Sequence, residues 1–146
     1  MNKPKVLFLC TGNSARSQMA EAFLRQYGSE RFEAFSAGLE PSVINPLTIQ
    51  VMDEVGVDMS GHFAKGLTQY LGKVHFSYLI TVCSRAEEKC PIFPGMGTRL
   101  HWPFDDPAAV TGSEAEKLAR FRQVREEIKE KIVSWAALLS STGDTV

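Results

Sequence analysis

The sequence predicts an α/β fold in which helices cover both faces of a parallel sheet. Lys5 to Leu9 is a short and continuous apolar run, which is typical of a strand that is buried on both faces. The stretch from Ser17 to Tyr27 follows it, and its apolar residues recur with helical spacing. Because strand and helix patterns keep alternating along the chain, parallel strands joined by helices are the simplest arrangement.

A second strand and a second helix follow the first pair. Phe32 to Ala37 alternates apolar and polar residues in the manner of a strand, which stops at Gly38. The next helix is expected to begin after Asn45, a favourable N-cap, with Pro46 in the first helical position. Its apolar stripe ends at Gly56.

The middle of the chain carries the patterns of two more strands. Phe76 to Val82 is rich in β-branched and aromatic residues, and Thr98 to Trp102 resembles a fourth strand. The glycines within residues 57–73 predict a loop, with a short helix around Thr68 to Leu71. Ser84 to Lys89 is a helix-prone sequence.

A long helix is predicted to end the domain. Ser113 and Glu116 have the spacing of a capping box, and apolar residues then recur every three or four positions as far as Leu139. Residues 1–139 are therefore expected to form one domain, and residues 140–146 a flexible tail.

Charge and composition argue against several classes of partner. The net charge of −1 supplies no basic field for nucleic acid, and the apolar run near the N-terminus is too short for a signal peptide or a membrane span. We therefore expect a cytoplasmic protein. Its three cysteines are an odd number, which favours reactive or buried thiols over a disulfide framework.

The first strand delivers a cysteine into a loop of small residues that ends at an arginine. Gly12 and short polar side chains allow successive N–H groups to turn inward as an anion-binding nest, and the helix that begins near Ser17 adds its positive end. The same field favours the thiolate form of Cys10, and Arg16 can hold two oxygens of a bound anion. An oxyanion site with its own nucleophile is thus predicted. Its binding residues are expected to be Thr11, Gly12, Asn13, Ser14, Ala15, Arg16 and Ser17.

Two further thiols and a pair of aspartates allow more than one interpretation. Cys83 also ends a strand, so its Cα would lie about 5 to 6 Å from that of Cys10, within disulfide reach, if the two strands are neighbours. Taken alone, Cys83 and Cys90 are equally compatible with inert buried thiols, and they lack the further ligands of a zinc site. Asp105-Asp106 before Pro107 is compatible with a simple turn, and becomes a proton-donor candidate because the nucleophile needs one.

Several longer segments carry a resemblance to a known family. They are Cys10 to Glu21, Ser36-Ala37-Gly38, Asn45-Pro46, Thr81 to Ser84, Cys90-Pro91, His101 to Ala108 and Phe121 to Ile128. On these segments the chain resembles the low-molecular-weight protein tyrosine phosphatase fold family, and within it the thioredoxin-coupled arsenate reductases. The resemblance implies a three-layer fold with a four-stranded parallel sheet in the order 2-1-3-4, in which the strands before Cys10 and Cys83 are neighbours.

The resemblance also implies a mechanism for the reduction of arsenate to arsenite. Cys10 would attack arsenate held by Arg16 and the loop amides, while Asp106 would protonate a departing oxygen. Cys83 would release arsenite by forming a disulfide with Cys10. Cys90 would then form a Cys83–Cys90 disulfide, which thioredoxin, an external reductant, reduces. The implied partners are arsenate or phosphate and thioredoxin, acting on a monomer without a bound cofactor.

A constraint on this relay comes from the sequence between the two later cysteines. A helix there would separate Cys83 from Cys90 by about 10 Å along its axis, whereas a disulfide requires Cα atoms within about 7 Å. We therefore predict that this segment changes conformation between the reduced and oxidised states.

One departure from the family concerns potassium. Reductases of this family that have a potassium site use the equivalents of Asn13, Glu21 and Ser36 together with an aspartate, where this chain has Lys65. An ammonium group at this position can replace the cation, so we expect no potassium requirement and no metal site.

The alternative is a protein tyrosine phosphatase that uses Cys10, Arg16 and Asp106 in the same roles. It needs neither Cys83 nor Cys90, and Ala108-Ala109 offers no aromatic wall for a phosphotyrosine ring. Weak phosphatase side activity is compatible with the site, since phosphate and arsenate are near isosteres.

Overall fold

A four-stranded parallel sheet forms the centre of the protein. The computed structural model describes residues 3–70, 72–89 and 97–141. The strands are β1 Lys5–Cys10, β2 Glu33–Gly38, β3 Tyr78–Thr81 and β4 Thr98–His101, in the order β2-β1-β3-β4. The predicted order is confirmed, and β1 lies between β2 and β3.

Helices enclose the sheet. They are α1 Arg16–Gly28, α2 Pro46–Asp53, α3 Ser84–Lys89 and α4 Glu114–Ser141, with 3-10 turns at Leu67–Gln69 and Pro107–Ala109. All five residues from Val6 to Cys10 are buried. Because successive side chains of a strand point to opposite faces, this burial requires cover on both faces of β1. The predicted three-layer α/β class is thereby confirmed.

The predicted helix boundaries rest on capping contacts that the structure contains. Asn45 Oδ1 accepts a hydrogen bond from the Leu47 amide at 2.8 Å, so Asn45 is the N-cap of α2. At the start of α4, the Glu116 amide donates to Ser113 Oγ at 3.1 Å and the Ser113 amide donates to Glu116 Oε1 at 3.2 Å. This reciprocal pair is the capping box predicted from the sequence.

Several predicted elements have other bounds in the structure. The third strand is Tyr78–Thr81, shorter than the predicted Phe76 to Val82, although the Phe76 ring packs edge-on against Phe35 and Tyr70 in the core. In place of the short helix expected around Thr68 to Leu71, the structure has a single 3-10 turn at Leu67–Gln69, and Leu71 lies outside the described residues. α4 continues to Ser141, and the rest of the predicted tail lies outside the described residues.

A helix that crosses a lipid bilayer needs about 20 mainly apolar residues. Among residues 3–70, 72–89 and 97–141, no helix is both long enough and apolar enough to cross one.

Candidate active site

The loop between β1 and α1 turns around a single unusual backbone position. Asn13 has φ of 54°, in the left-handed region that asparagine tolerates better than most residues. A left-handed residue inside a short loop turns neighbouring N–H groups toward one side, as in an anion-binding nest. The loop therefore has the backbone shape that the sequence predicted.

The carbonyl groups of this loop are held by the chain that follows β2. The amides of Leu39, Glu40 and Ser42 donate to the carbonyls of Cys10, Thr11 and Gly12 at 3.1, 2.8 and 3.0 Å. The Asn45 amide likewise donates to the Ser14 carbonyl at 3.1 Å. With its carbonyls turned toward residues 39–45, the loop directs its N–H groups to the opposite side. α1 begins there, and its N-cap Ala15 makes no side-chain capping hydrogen bond.

The buried side chain of Asn13 fixes this conformation. Its Nδ2 donates to Ser17 Oγ at 2.8 Å and to Ser36 Oγ at 3.0 Å. Its Oδ1 accepts from the Lys65 amide at 2.8 Å and from Gln18 Nε2 at 2.9 Å. Four hydrogen bonds in the interior offset the cost of a left-handed asparagine, which is about 1 kcal/mol.

Cys10 lies in the floor of the loop and is 3% exposed. Its Sγ is 2.8 Å from Ser17 Oγ and accepts a hydrogen bond from the Asn13 amide at 3.3 Å. The two contacts hold the sulfur in a fixed position at the floor of the loop. The arrangement is thus suited to a nucleophile.

Arg16 connects the loop to the chain after β4. Its Nη1 donates to the Phe104 carbonyl at 3.1 Å, and its Nη2 lies 3.8 Å from Asp106 Oδ2. Asp105 instead points to the surface, where it pairs with Arg120 at 2.5 Å. Of the two adjacent aspartates, Asp106 is therefore the one beside the loop. Its side chain also accepts a hydrogen bond from the Ala108 amide at 3.0 Å, which positions the carboxylate.

Cys83 is next to the loop as well. It follows β3, the neighbour of β1, and its Sγ is 3.5 Å from Thr11 Oγ1. The Ala86 amide donates to the same sulfur at 3.4 Å. Cys83 is 4% exposed and carries a free thiol, as does Cys10. Cys90, the third predicted cysteine, lies outside the described residues.

Behind the loop is a buried charge cluster that composition and periodicity did not reveal. Lys65 Nζ lies 3.7 Å from Glu21 Oε1 and 3.4 Å from Ser36 Oγ, and it donates to the Phe63 carbonyl at 3.0 Å. Ser36 Oγ in turn donates to the Glu21 carboxylate. Burial lowers the pKa of Lys65, while the Glu21 carboxylate opposes that shift. Lys65 therefore reaches the same oxygen-bearing residues, Glu21 and Ser36, that a cation would contact.

Gly38, at the end of β2, allows the loop to pass close to the sheet. A Cβ atom there would meet Thr11 O at 2.7 Å, Asn13 N at 2.8 Å and Gly12 C at 2.9 Å, all backbone atoms. Such contacts are too short to be relieved by a side-chain rotation. The glycine is required by the approach of the loop, which only the tertiary structure reveals.

The predicted site residues of the described chain thus converge on one place. The Cys10 to Ser17 loop, Cys83 and Asp106 come from β1, β3 and the chain after β4, at the carboxyl ends of the strands. This is where parallel α/β sheets bind ligands.

Comparisons with known proteins agree on one family. The sequence profile of the family described as low molecular weight phosphotyrosine protein phosphatase matches residues 5–144. An arsenate reductase of Halalkalibacterium halodurans is 41% identical over 136 residues, which are 93% of this chain and 97% of that protein.

The solved structures that resemble this chain also include arsenate reductases. An arsenate reductase in the phosphate-binding state matches with a TM-score of 0.75 and 30% identity, over 92% of this chain and 97% of that chain. A thioredoxin-dependent arsenate reductase of Corynebacterium glutamicum matches with a TM-score of 0.70 and 30% identity, over 95% of this chain and 63% of that chain.

Proposed function

Because the chain belongs to the low molecular weight phosphotyrosine protein phosphatase family, we propose that it uses the family's oxyanion loop to reduce arsenate to arsenite in arsenic detoxification. The observation that carries the proposal is a second buried thiol, Cys83, at the loop that holds Cys10. Ester hydrolysis needs one cysteine nucleophile. Reduction of arsenic also needs a second thiol, which attacks the first sulfur and forms a disulfide with it.

The first step forms a covalent bond between sulfur and arsenic. Arsenate occupies the nest, where the loop amides, the start of α1 and the Arg16 guanidinium bind its oxygens. The Cys10 thiolate attacks arsenic, and Asp106 protonates the oxygen that leaves as water. Asp106 Oδ2 lies 3.8 Å from Arg16 Nη2, whereas Asp105 pairs with Arg120 at the surface, which supports Asp106 as the proton donor.

The second step transfers two electrons to arsenic. The Cys83 thiolate attacks Cys10 Sγ, the sulfur–arsenic bond breaks, and its electron pair remains on arsenic, which leaves as arsenite. A Cys10–Cys83 disulfide is formed. Thr11 and the Ala86 amide stabilise the attacking thiolate through their contacts with Cys83 Sγ, at 3.5 and 3.4 Å.

The third step regenerates the nucleophile. The Cys90 thiolate attacks Cys83 Sγ, so that Cys10 leaves as a thiolate and a Cys83–Cys90 disulfide remains for thioredoxin to reduce. α3 occupies all six positions from Ser84 to Lys89. A helix there rises about 9 Å and a disulfide cannot span it, so α3 has to unwind in this step.

The remaining parts of the proposal concern the protein in the cell. The relay ends on a dithiol reductant and needs no bound cofactor, which fits a reducing compartment such as the cytoplasm. We expect the protein to act as a monomer. The thioredoxin dependence stated for the Corynebacterium glutamicum relative supports thioredoxin as the external reductant.

The decisive experiment is arsenate-dependent oxidation of NADPH in the presence of thioredoxin and thioredoxin reductase. We expect turnover with the wild-type protein and none with Cys10→Ser, Cys83→Ser or Cys90→Ser. Mass spectrometry of trapped intermediates should detect a Cys10–Cys83 disulfide in Cys90→Ser. Unchanged turnover of Cys83→Ser would refute the relay.

A weak phosphatase activity is the second function that the site supports. Cys10, Arg16 and Asp106 are the groups that a cysteine phosphatase uses, and the family profile is that of a phosphatase. We expect slow hydrolysis of p-nitrophenyl phosphate that Cys10→Ser abolishes and Cys83→Ser leaves intact. If hydrolysis greatly exceeded arsenate reduction, the phosphatase would be the principal function.

A further inference from the structure

Glu87 is the residue through which α3 is attached to the sheet. Its Oε1 accepts hydrogen bonds from Thr81 Oγ1 at 2.8 Å and from Arg99 Nη2 at 3.2 Å and Nε at 3.3 Å. His101 Nδ1 lies 2.8 Å from the same Thr81 hydroxyl. Thr81 ends β3, whereas Arg99 and His101 belong to β4.

Arg99 also holds the backbone of α3. Its Nη2 donates to the Glu87 carbonyl at 2.8 Å, which is one of the last four carbonyls of the helix and has no partner within it. Arg99 thus bonds both the side chain and the backbone of one helical residue. Loss of the α-helix at Glu87 would break these contacts together.

α3 has few other interactions that keep it helical. It has six residues, of which only Ala86 is buried, and helices of this length are unstable by themselves in water. A second ion pair of α3 joins Arg85 to Glu40 at 3.1 Å, with side chains 58% and 69% exposed. Such an exposed pair contributes little. The contacts of Glu87 are therefore a principal tertiary support of the helix.

The proposed relay requires this helix to unwind. Every interaction that exists only while residues 84–89 are helical stabilises the dithiol form of Cys83 and Cys90 relative to their disulfide, by linkage. The pairing of Glu87 with Thr81 and Arg99 is such an interaction.

We propose that Arg99 and Thr81 form a redox-sensitive latch on Glu87, which keeps α3 helical while the thiols are reduced and opens when the Cys83–Cys90 disulfide forms. Arg99 is then a positioning residue for the relay, although it does not contact the loop that holds the oxyanion. The inference rests on the proposed function, because the latch acts on a step of that relay. The latch contributes to the reduction potential of the Cys83–Cys90 disulfide, because it stabilises only the dithiol form.

The test measures the redox equilibrium of the Cys83–Cys90 pair without arsenate. In a Cys10→Ser protein, Cys83 and Cys90 lose two electrons and two protons to oxidised dithiothreitol, which becomes the dithiol. The fraction oxidised is followed by thiol alkylation and mass spectrometry over a range of dithiothreitol ratios. Glu87→Gln and Arg99→Met are compared in this background.

Both substitutions remove an interaction that only the reduced form makes. We expect each to shift the equilibrium three- to tenfold toward the disulfide, which lowers the potential by about 15 to 30 mV. The double variant should shift it no further than the larger single shift, since both residues act through one latch. Amide hydrogen exchange of residues 84–89 should also accelerate in the reduced variants.

Glu88→Gln is the matched control. Glu88 is exposed on the same helix and its substitution changes the charge of α3 equally, so its shift should stay below twofold. Potentials of Glu87→Gln and Arg99→Met equal to that of Glu88→Gln would overturn the latch while leaving the relay intact. Failure of the parent Cys10→Ser protein to form a Cys83–Cys90 disulfide would overturn the relay and the latch together.

Discussion

Lys65 Nζ lies 3.7 Å from Glu21 Oε1 in the interior behind the oxyanion loop, where both side chains are less than a tenth exposed. Arg25 reaches the other carboxylate oxygen, Glu21 Oε2, at 2.6 Å. The buried carboxylate is thus neutralised by two cations of the chain itself. Through Ser36 and Asn13 this pair is connected to Ser17, the neighbour of the nucleophile.

The Lys65 ammonium leads to a prediction about potassium. We expect the arsenate reductase rate of the wild-type protein to be the same in potassium chloride as in choline chloride of equal ionic strength. A specific increase with potassium would show that Lys65 does not replace the ion.

Lys65→Ala should make the stability of the protein depend on potassium. Removing one partner of a buried ion pair costs about 3 kcal/mol, and potassium should restore part of it by binding beside Glu21 and Ser36. Urea unfolding in the two salts measures both effects. Equal stabilities of Lys65→Ala in the two salts would contradict the prediction.

Asp106→Asn should slow the chemical step. Loss of a general acid typically lowers kcat by about 10² to 10⁴, and KM should change less because Arg16 and the loop remain. Asp105→Asn is the matched control, since Asp105 pairs with Arg120 at the surface, and it should retain nearly the full rate. A larger loss in Asp105→Asn than in Asp106→Asn would reverse the assignment.

Gly38→Ala should damage the loop through backbone contact alone. The new methyl group would lie within 3 Å of backbone atoms of Thr11, Gly12 and Asn13, so we expect a loss of about 1 to 3 kcal/mol in stability and weaker phosphate binding. Isothermal titration with phosphate measures the second effect.

Gly66→Ala provides the comparison for Gly38→Ala. Its nearest neighbour would be the Pro41 Cγ at 3.4 Å, an ordinary contact. Equal phosphate affinities of the two variants would show that the close approach at Gly38 is unimportant for binding.

Glu54 makes stability depend on pH below the usual carboxyl range. Hydrogen bonds from Arg122, and then Arg125, lower the pKa of Glu54 from 4.5 to about 2. A lowered folded-state pKa contributes stability that is fully present above pH 4.5 and is lost as the pH falls through about 2. The difference in unfolding free energy between wild type and Glu54→Gln should therefore be constant from pH 6 to 8 and shrink between pH 4.5 and 2.

Asp53→Asn is the control for this pH dependence. Asp53 is the exposed neighbour of Glu54 at the end of α2. Urea unfolding at pH 7, 4 and 3 should give Asp53→Asn a smaller change than Glu54→Gln. A pH-independent effect of Glu54→Gln would contradict the proposed ionic pairing with Arg122.

Local sequence patterns predicted much of the fold because their causes are local. Asn45 and Pro46 cap a helix through atoms within two residues of each other, and Ser113 with Glu116 does the same for α4. The Cys10 loop likewise depends on short side chains within one strand-to-helix turn. Phe76 was wrongly assigned to β3, because its apolar, aromatic character indicates burial but not where strand pairing begins.

The sequence by itself determined the alternation of strands and helices and the short loop after Cys10, and it predicted Cys10 as the nucleophile, since each of these depends on residues near one another in the chain. The tertiary structure decided which aspartate faces Arg16, that Cys83 reaches Thr11, and that Glu87 is held by Arg99. Each of these relationships joins residues from distant parts of the chain. They depend on the register of the sheet and on the close packing of its edges, which no local pattern specifies.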